Sequence, residues 1–119
     1  MKLITKEQER KLLANGRVNV LLSNQGKEPK DFRPVVKLFC PWGDATWLIT
    51  ELDPEDPDLA FGLCDLGQGF PELGGVRLSE ISGVRGPGGL TIERDRHFQA
   101  RKCIQAYADD ARRFRRISA

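Results

Sequence analysis

The run PVVKLFCPWGDATWLITELDPEDPDLAFGLCDLGQGFPELGGVRL, Pro34 to Leu78, decides the fold. β-like segments alternate in it with Pro, Gly and Asp punctuation. Pro34 opens a first strand, Val35 to Phe39, and Pro41-Trp42-Gly43-Asp44 is a turn of hairpin type. The second strand, Thr46 to Leu52, puts Trp47 and Ile49 on one face and Leu48 on the other. Asp53-Pro54-Glu55-Asp56-Pro57-Asp58 reads as a loop, because two prolines and four acids oppose both helix and strand. Leu59 to Leu66 is the third strand. Leu59, Phe61 and Leu63 lie on one face, and Ala60, Gly62, Cys64 and Leu66 on the other. A strand apolar on both faces is covered on both sides or closely approached by a helix. After the tight connection Gly67 to Pro71 comes a fourth strand, Glu72 to Leu78, weakened by Gly74 and Gly75.

Helices flank this sheet. Thr5-Lys6-Glu7-Gln8 fits a capping box, so a helix starts at Lys6. Leu12, Leu13, Gly16 and Val20 share one face. Gly16 either permits close approach to the sheet or ends the helix after Asn15. The first reading carries the helix to about Leu22, with a loop from Asn24 to Asp31. Past the fourth strand, Ser79 can cap a short turn, Glu80 to Val84. Gly86 to Gly89 forces an irregular loop, and Leu90 to Arg94 is a short edge strand. A last helix runs from about Ile104 with the stripe Ile104, Tyr107, Ala108, Ala111 and Phe114. In it, Asp109 and Arg113 have the spacing of a helix ion pair. The expected fold is α+β in one domain, 1–119: an antiparallel meander of four or five strands packed by an N-terminal and a C-terminal helix. Leu48, Phe61, Leu63 and Tyr107 are the expected core.

Composition narrows the class. The chain has 119 residues, 39% hydrophobic and 30% charged, as a globular domain should. No segment approaches the roughly 18 apolar residues of a membrane helix. The start, MKLITKEQERKLLANG, lacks the apolar core of a secretory signal, so the expected location is the cytoplasm. The net charge of +2 implies no nucleic acid by itself. Its distribution is uneven: 44–58 is acidic and RRFRR, 112–116, is basic.

The stretches MKLITKEQERKLLANGR, VVKLF, TWLITELDPEDPDLAFGLCDLGQGFPELG and IERD with nearby Phe98 resemble the bacterial family known as domain of unknown function 2958. The resemblance covers about Met1 to Ala108 and leaves RRFRR outside. It implies a small accessory protein of plasmids, integrated elements and phage-like DNA, sometimes found beside DNA-modifying or anti-restriction domains. It implies no activity, cofactor or catalytic residue.

Several residue sets could carry chemistry. The acids Glu51, Asp53, Glu55, Asp56, Asp58 and Asp65 are hard ligands, but the prolines among them replace the ordered ligands and bend glycine of a calcium loop. They fit a turn or a protein-binding rim better. Acid–base use of two carboxylates, as in a small carboxylate-based hydrolase, would need a pocket that raises one pKa. Cys40, Cys64, Cys103 and His97 lack the close pairing of a zinc site, and buried thiols are the better reading. Cys103 precedes the last helix beside Arg101 and Lys102, and a plain helix-start residue is a better reading for it than an activated nucleophile. No phosphate-loop or dinucleotide pattern occurs. Arg94, Arg96, Arg101, Lys102, Arg112, Arg113, Arg115 and Arg116, with Phe114 between, form a basic patch for nucleic acid or another polyanion, or a solvated helix face paired to Asp109 and Asp110. Trp42 is either an interface aromatic or a turn residue folded over a sheet edge. The expectation is a binding protein, not an enzyme, with no cofactor or metal. Its partner is a protein, possible sites being Trp42, the acids Asp53, Glu55, Asp56 and Asp58, and the arginines Arg112, Arg113, Arg115 and Arg116. Nucleic-acid binding by those arginines is the alternative.

Overall fold

The computed structural model describes residues 3–119, so Met1 and Lys2, where the resemblance begins, lie outside the described residues. Helix α1 spans Lys6–Asn24. Its capping box is complete: Thr5 Oγ1 accepts the Gln8 amide at 3.1 Å and Gln8 Oε1 accepts the Thr5 amide at 2.9 Å. Of the two readings of Gly16, close approach is the one realised. A Cβ at this position would stand 1.9 Å from the Leu52 carbonyl oxygen, so only glycine lets the helix cross there. The helix ends two residues beyond Leu22, and Gly26 follows in the left-handed region at φ 68°.

Five antiparallel strands make one sheet in the order β4-β3-β2-β1-β5. They are β1 (Val36–Phe39), β2 (Thr46–Asp53), β3 (Asp56–Asp65), β4 (Glu72–Arg77) and β5 (Glu93–Arg94). The first four form a meander. β5 returns beside β1 after the short helix α2 (Leu78–Ser82) and a single 3-10 turn at Pro87–Gly89. Helix α3 is Ile104–Phe114.

The acidic connector is not a six-residue loop. β2 and β3 continue through it to the pair Asp53↔Asp56, leaving only Pro54 and Glu55 at the tip. The register jumps there from Leu52↔Ala60, so Pro57, Asp58 and Leu59 have no opposite residue in β2. Pro57 therefore sits where its missing N–H costs no ladder bond. The carboxylates are held locally. Asp53 accepts the Glu55 amide, and Arg77 reaches Asp56 at 3.0 Å and Asp58 at 3.7 Å. Asp58 also takes the amide and hydroxyl of Ser79. Ser79 is thus a donor to Asp58 and does not cap α2, whose N-cap position is Arg77.

The sheet is covered on both sides. Leu12 of α1 packs with Val36, Leu38, Trp47, Ile49, Leu52 and Ala60 on one face, joined by Ile81 and Ile92. Ile104, Tyr107, Ala108 and Ala111 of α3 cover Leu48 and Leu63 on the other. Tyr107 keeps its hydroxyl satisfied by accepting the Arg101 amide at 3.0 Å. One expected core position, Phe61, and one residue of the expected α3 stripe, Phe114, stand outside. Phe61 is 39% exposed and Phe114 58% exposed. Phe61 alternates with Leu63, but it lines a groove beside Ile104 and Gln105, where α3 begins, and does not join the cluster that the helix covers. In α3, Asp109 accepts from Gln105 and Asp110 pairs with Lys102, in place of the expected Asp109–Arg113 pair.

Candidate functional site

A bulge builds the most distinctive concavity. The β2–β3 register steps from Ile49↔Gly62 to Glu51↔Phe61, so Thr50 is an extra residue in β2. A one-residue insertion re-aims every side chain beyond it. Glu51 thereby lies opposite Phe61, on the α3 side of the sheet but in the groove beside the helix. Thr50 is 1% exposed, and its hydroxyl donates to the Phe61 carbonyl.

β1 has ended at this level, and α1 takes its place along β2. Asn15 Nδ2 donates to the Thr50 carbonyl at 2.9 Å, and Asn19 Nδ2 donates to Glu51 Oε1 at 2.8 Å. Asn19 Oδ1 in turn accepts the Lys30 amide at 2.8 Å. The segment Pro29 to Phe32 then secures the start of α3. The Phe32 carbonyl accepts from Ile104 N, and Asp31 accepts from Gln105 N. These two bonds satisfy amides that a helix N-terminus otherwise leaves open.

The result is a groove of about 580 Å³ between α1, this segment, the start of α3 and the sheet. Val20, Phe32, Leu59, Phe61 and Leu73 make its walls and floor mostly apolar. Glu51 is its half-buried carboxyl. Loss of hydration pushes its pKa up, and the Asn19 hydrogen bond only partly offsets that. Asp31 and Asp53 also border the groove, each already engaged by a backbone amide.

The other sequence-predicted residues lie elsewhere. Trp42 is half-buried against the core, with its ring over Gly86, where a Cβ would stand 2.4 Å from the indole. The ring thus packs on the irregular connection at Gly86, not on a strand. The acidic hairpin and the arginines occupy opposite ends of the β2–β3 pair. The hairpin closes at Asp53↔Asp56, whereas Asp65, opposite Thr46, accepts the Ile117 amide just beyond the arginines. Cys40, Cys64 and Cys103 are free and half-buried, and burial pushes the Cys64 thiol up to about 11. Cys103 holds the N-cap position of α3 without a side-chain cap bond. Among the described residues, no three His, Cys, Asp or Glu side chains gather where a metal ion could sit. No helix among the described residues is long and apolar enough to cross a membrane.

A family model described as "Protein of unknown function (DUF2958)" matches residues 3–118. The chain belongs to the DUF2958 family. The match reaches past Ala108, so RRFRR falls inside this DUF2958 domain and is not an appendage to it. Comparison with curated proteins and with solved structures gives no match.

The groove itself was hidden in the sequence. Glu51 was visible only as one acid among six, and nothing in the spacing announces the Thr50 bulge. Asn15 and Asn19, four apart and flanking Gly16, were the one local hint: two amide side chains beside a close-approach glycine.

Proposed function

We propose that this DUF2958 protein acts by binding, and that the groove receives an extended segment of a protein partner. One observation carries the reading: the groove opens beside an unpaired sheet edge. Among the described residues β4 pairs only with β3, and Leu73 and Gly75 of β4 line the groove. A Cβ on Gly74 would meet nothing within 4 Å. An incoming strand can add to such an edge through backbone bonds, while alternate side chains fill a neighbouring apolar pocket. Here the pocket offers Phe61 and Leu73 for apolar contact and Glu51 for one cation or hydrogen-bond donor. A role in mobile bacterial DNA belongs to this proposal as well, supported by the family resemblance alone.

Glu51 also lends support to the carboxylate-based hydrolase. That chemistry needs a second available carboxyl group. Asp31 and Asp53 are both committed to backbone amides, which favours binding over catalysis.

Selection of displayed random peptides of about 12 residues tests the reading. Enriched peptides should be apolar with a basic residue, should slow hydrogen exchange in β4, and should lose affinity to Phe61→Asp. Peptides that protect another surface, or that bind Phe61→Asp equally well, would sink it.

A further inference from the structure

The C-terminal end of α3 carries a second surface, built by one buried carboxylate. Asp65 is 2% exposed. One of its oxygens accepts the Gly67 amide at 2.8 Å and the other the Ile117 amide at 3.0 Å. This ties the Gly67 to Pro71 connection to the exit of α3. The connection bends through positive φ at Gly67 (79°) and Gly69 (87°) and pushes Phe70 outward, 77% exposed. Phe70, Arg112 and Arg115 line one concavity of about 590 Å³, together with Leu73 and Glu72. Arg116 lines the adjoining hollow with Gly67 and Gly69.

Two features separate this surface from a solvated helix face. Among the described residues, Arg112, Arg115 and Arg116 have no carboxylate within ion-pairing distance, although Glu72 shares their concavity. Arg115 also holds a left-handed backbone, φ 58°, at the C-cap of α3. Glycine adopts that conformation without strain, whereas a side chain adds a cost of about 1 kcal/mol. Arginine stands at this position in spite of that cost.

We propose that this surface binds single-stranded nucleic acid, with Phe70 stacking on a base and Arg112, Arg115 and Arg116 contacting phosphates. Uncompensated guanidinium groups match a polyanion, and an exposed ring matches the flat face that every unpaired base presents. A base inside a duplex is stacked on both faces and cannot meet Phe70. The Glu51 groove lies at the opposite end of α3 and shares only Leu73 with this concavity, so Phe70 and the three arginines can be tested apart from the peptide-binding reading.

The test is fluorescence anisotropy with a labelled oligothymidine of about 15 nucleotides, in a salt series, on the full chain. Binding should weaken with salt, the log–log slope falling by about 0.7 for each phosphate contact removed. Arg112→Gln, Arg115→Gln and Arg116→Gln should each flatten the slope. Phe70→Ala should cost about tenfold in affinity at unchanged slope, since stacking releases no counterions. Phe61→Asp, in the other groove, should leave binding intact, and all five variants should keep the parent circular dichroism spectrum. Absence of binding at low salt overturns the proposal. So does binding that ignores Phe70→Ala, or equal affinity for duplex DNA or polyglutamate, since each would mean the surface reads charge alone.

Discussion

Phe61 and Leu63 occupy the same face of β3, two residues apart, yet they have different fates. Leu63 is 1% exposed beneath α3, whereas Phe61 keeps 39% of its surface in water. Alternation in the sequence makes them equivalent. The difference comes from where α3 begins, which no local pattern encodes. Truncating a buried leucine costs about 2–5 kcal/mol through lost transfer energy and the cavity left behind. A ring open to solvent leaves no sealed cavity, so Phe61→Ala should cost only about 1 kcal/mol. Urea unfolding of Phe61→Ala and Leu63→Ala side by side checks the order. Equal losses would mean that Phe61 is covered in solution.

At the scale of elements, the α1–β2 contact rests on a missing side chain. Alanine at position 16 would gain about 1 kcal/mol of helix propensity over glycine. It would also drive a methyl group to 1.9 Å from the Leu52 carbonyl oxygen, a backbone atom that cannot rotate away. Overpacking of this kind costs about 1–3 kcal/mol or more. Gly16→Ala should therefore destabilise on balance and separate Asn15 and Asn19 from Thr50 and Glu51. Thermal unfolding reads the first effect, and amide shifts of Thr50 and Glu51 the second. A raised Tm would show that the helix stands further off. Most elements were legible from residue chemistry. The capping box marked the start of α1, two-sided apolarity marked β3 as an inner strand, and the α3 stripe marked its buried face. The acidic connector was misjudged because Pro57 opposes a strand only where its N–H is needed. The register shift there removes that need, and a register shift is a property of two strands together. The groove escaped for the same reason, since the Thr50 bulge exists only in the pairing of β2 with β3.

For the whole molecule, the shifted carboxyls act in separate pH windows. Asp58 and Asp110 are lowered, Asp58 first by its Ser79 hydrogen bond and Asp110 first by Lys102. Their stabilisation is present above the ordinary value of 3.8 and is lost as pH falls through their folded values. Glu51 has the opposite sign. Its folded pKa is raised above 4.5 by burial, so the native state holds this proton more tightly than the unfolded chain does. Its contribution is fully present below 4.5 and is lost as pH rises through the folded value. Glutamine in its place mimics the protonated acid at every pH and keeps a partner for Asn19. Glu51→Gln should therefore be more stable than the parent at neutral pH. That advantage should shrink towards a constant offset as pH falls to about 4.5, while the shared loss from Asp58 and Asp110 appears only at lower pH. Urea unfolding of both proteins across this range measures the difference directly. A difference that does not change with pH would mean that Glu51 is hydrated in solution. The groove would then lack the low-polarity setting that makes its carboxyl a selective contact for a partner's cation.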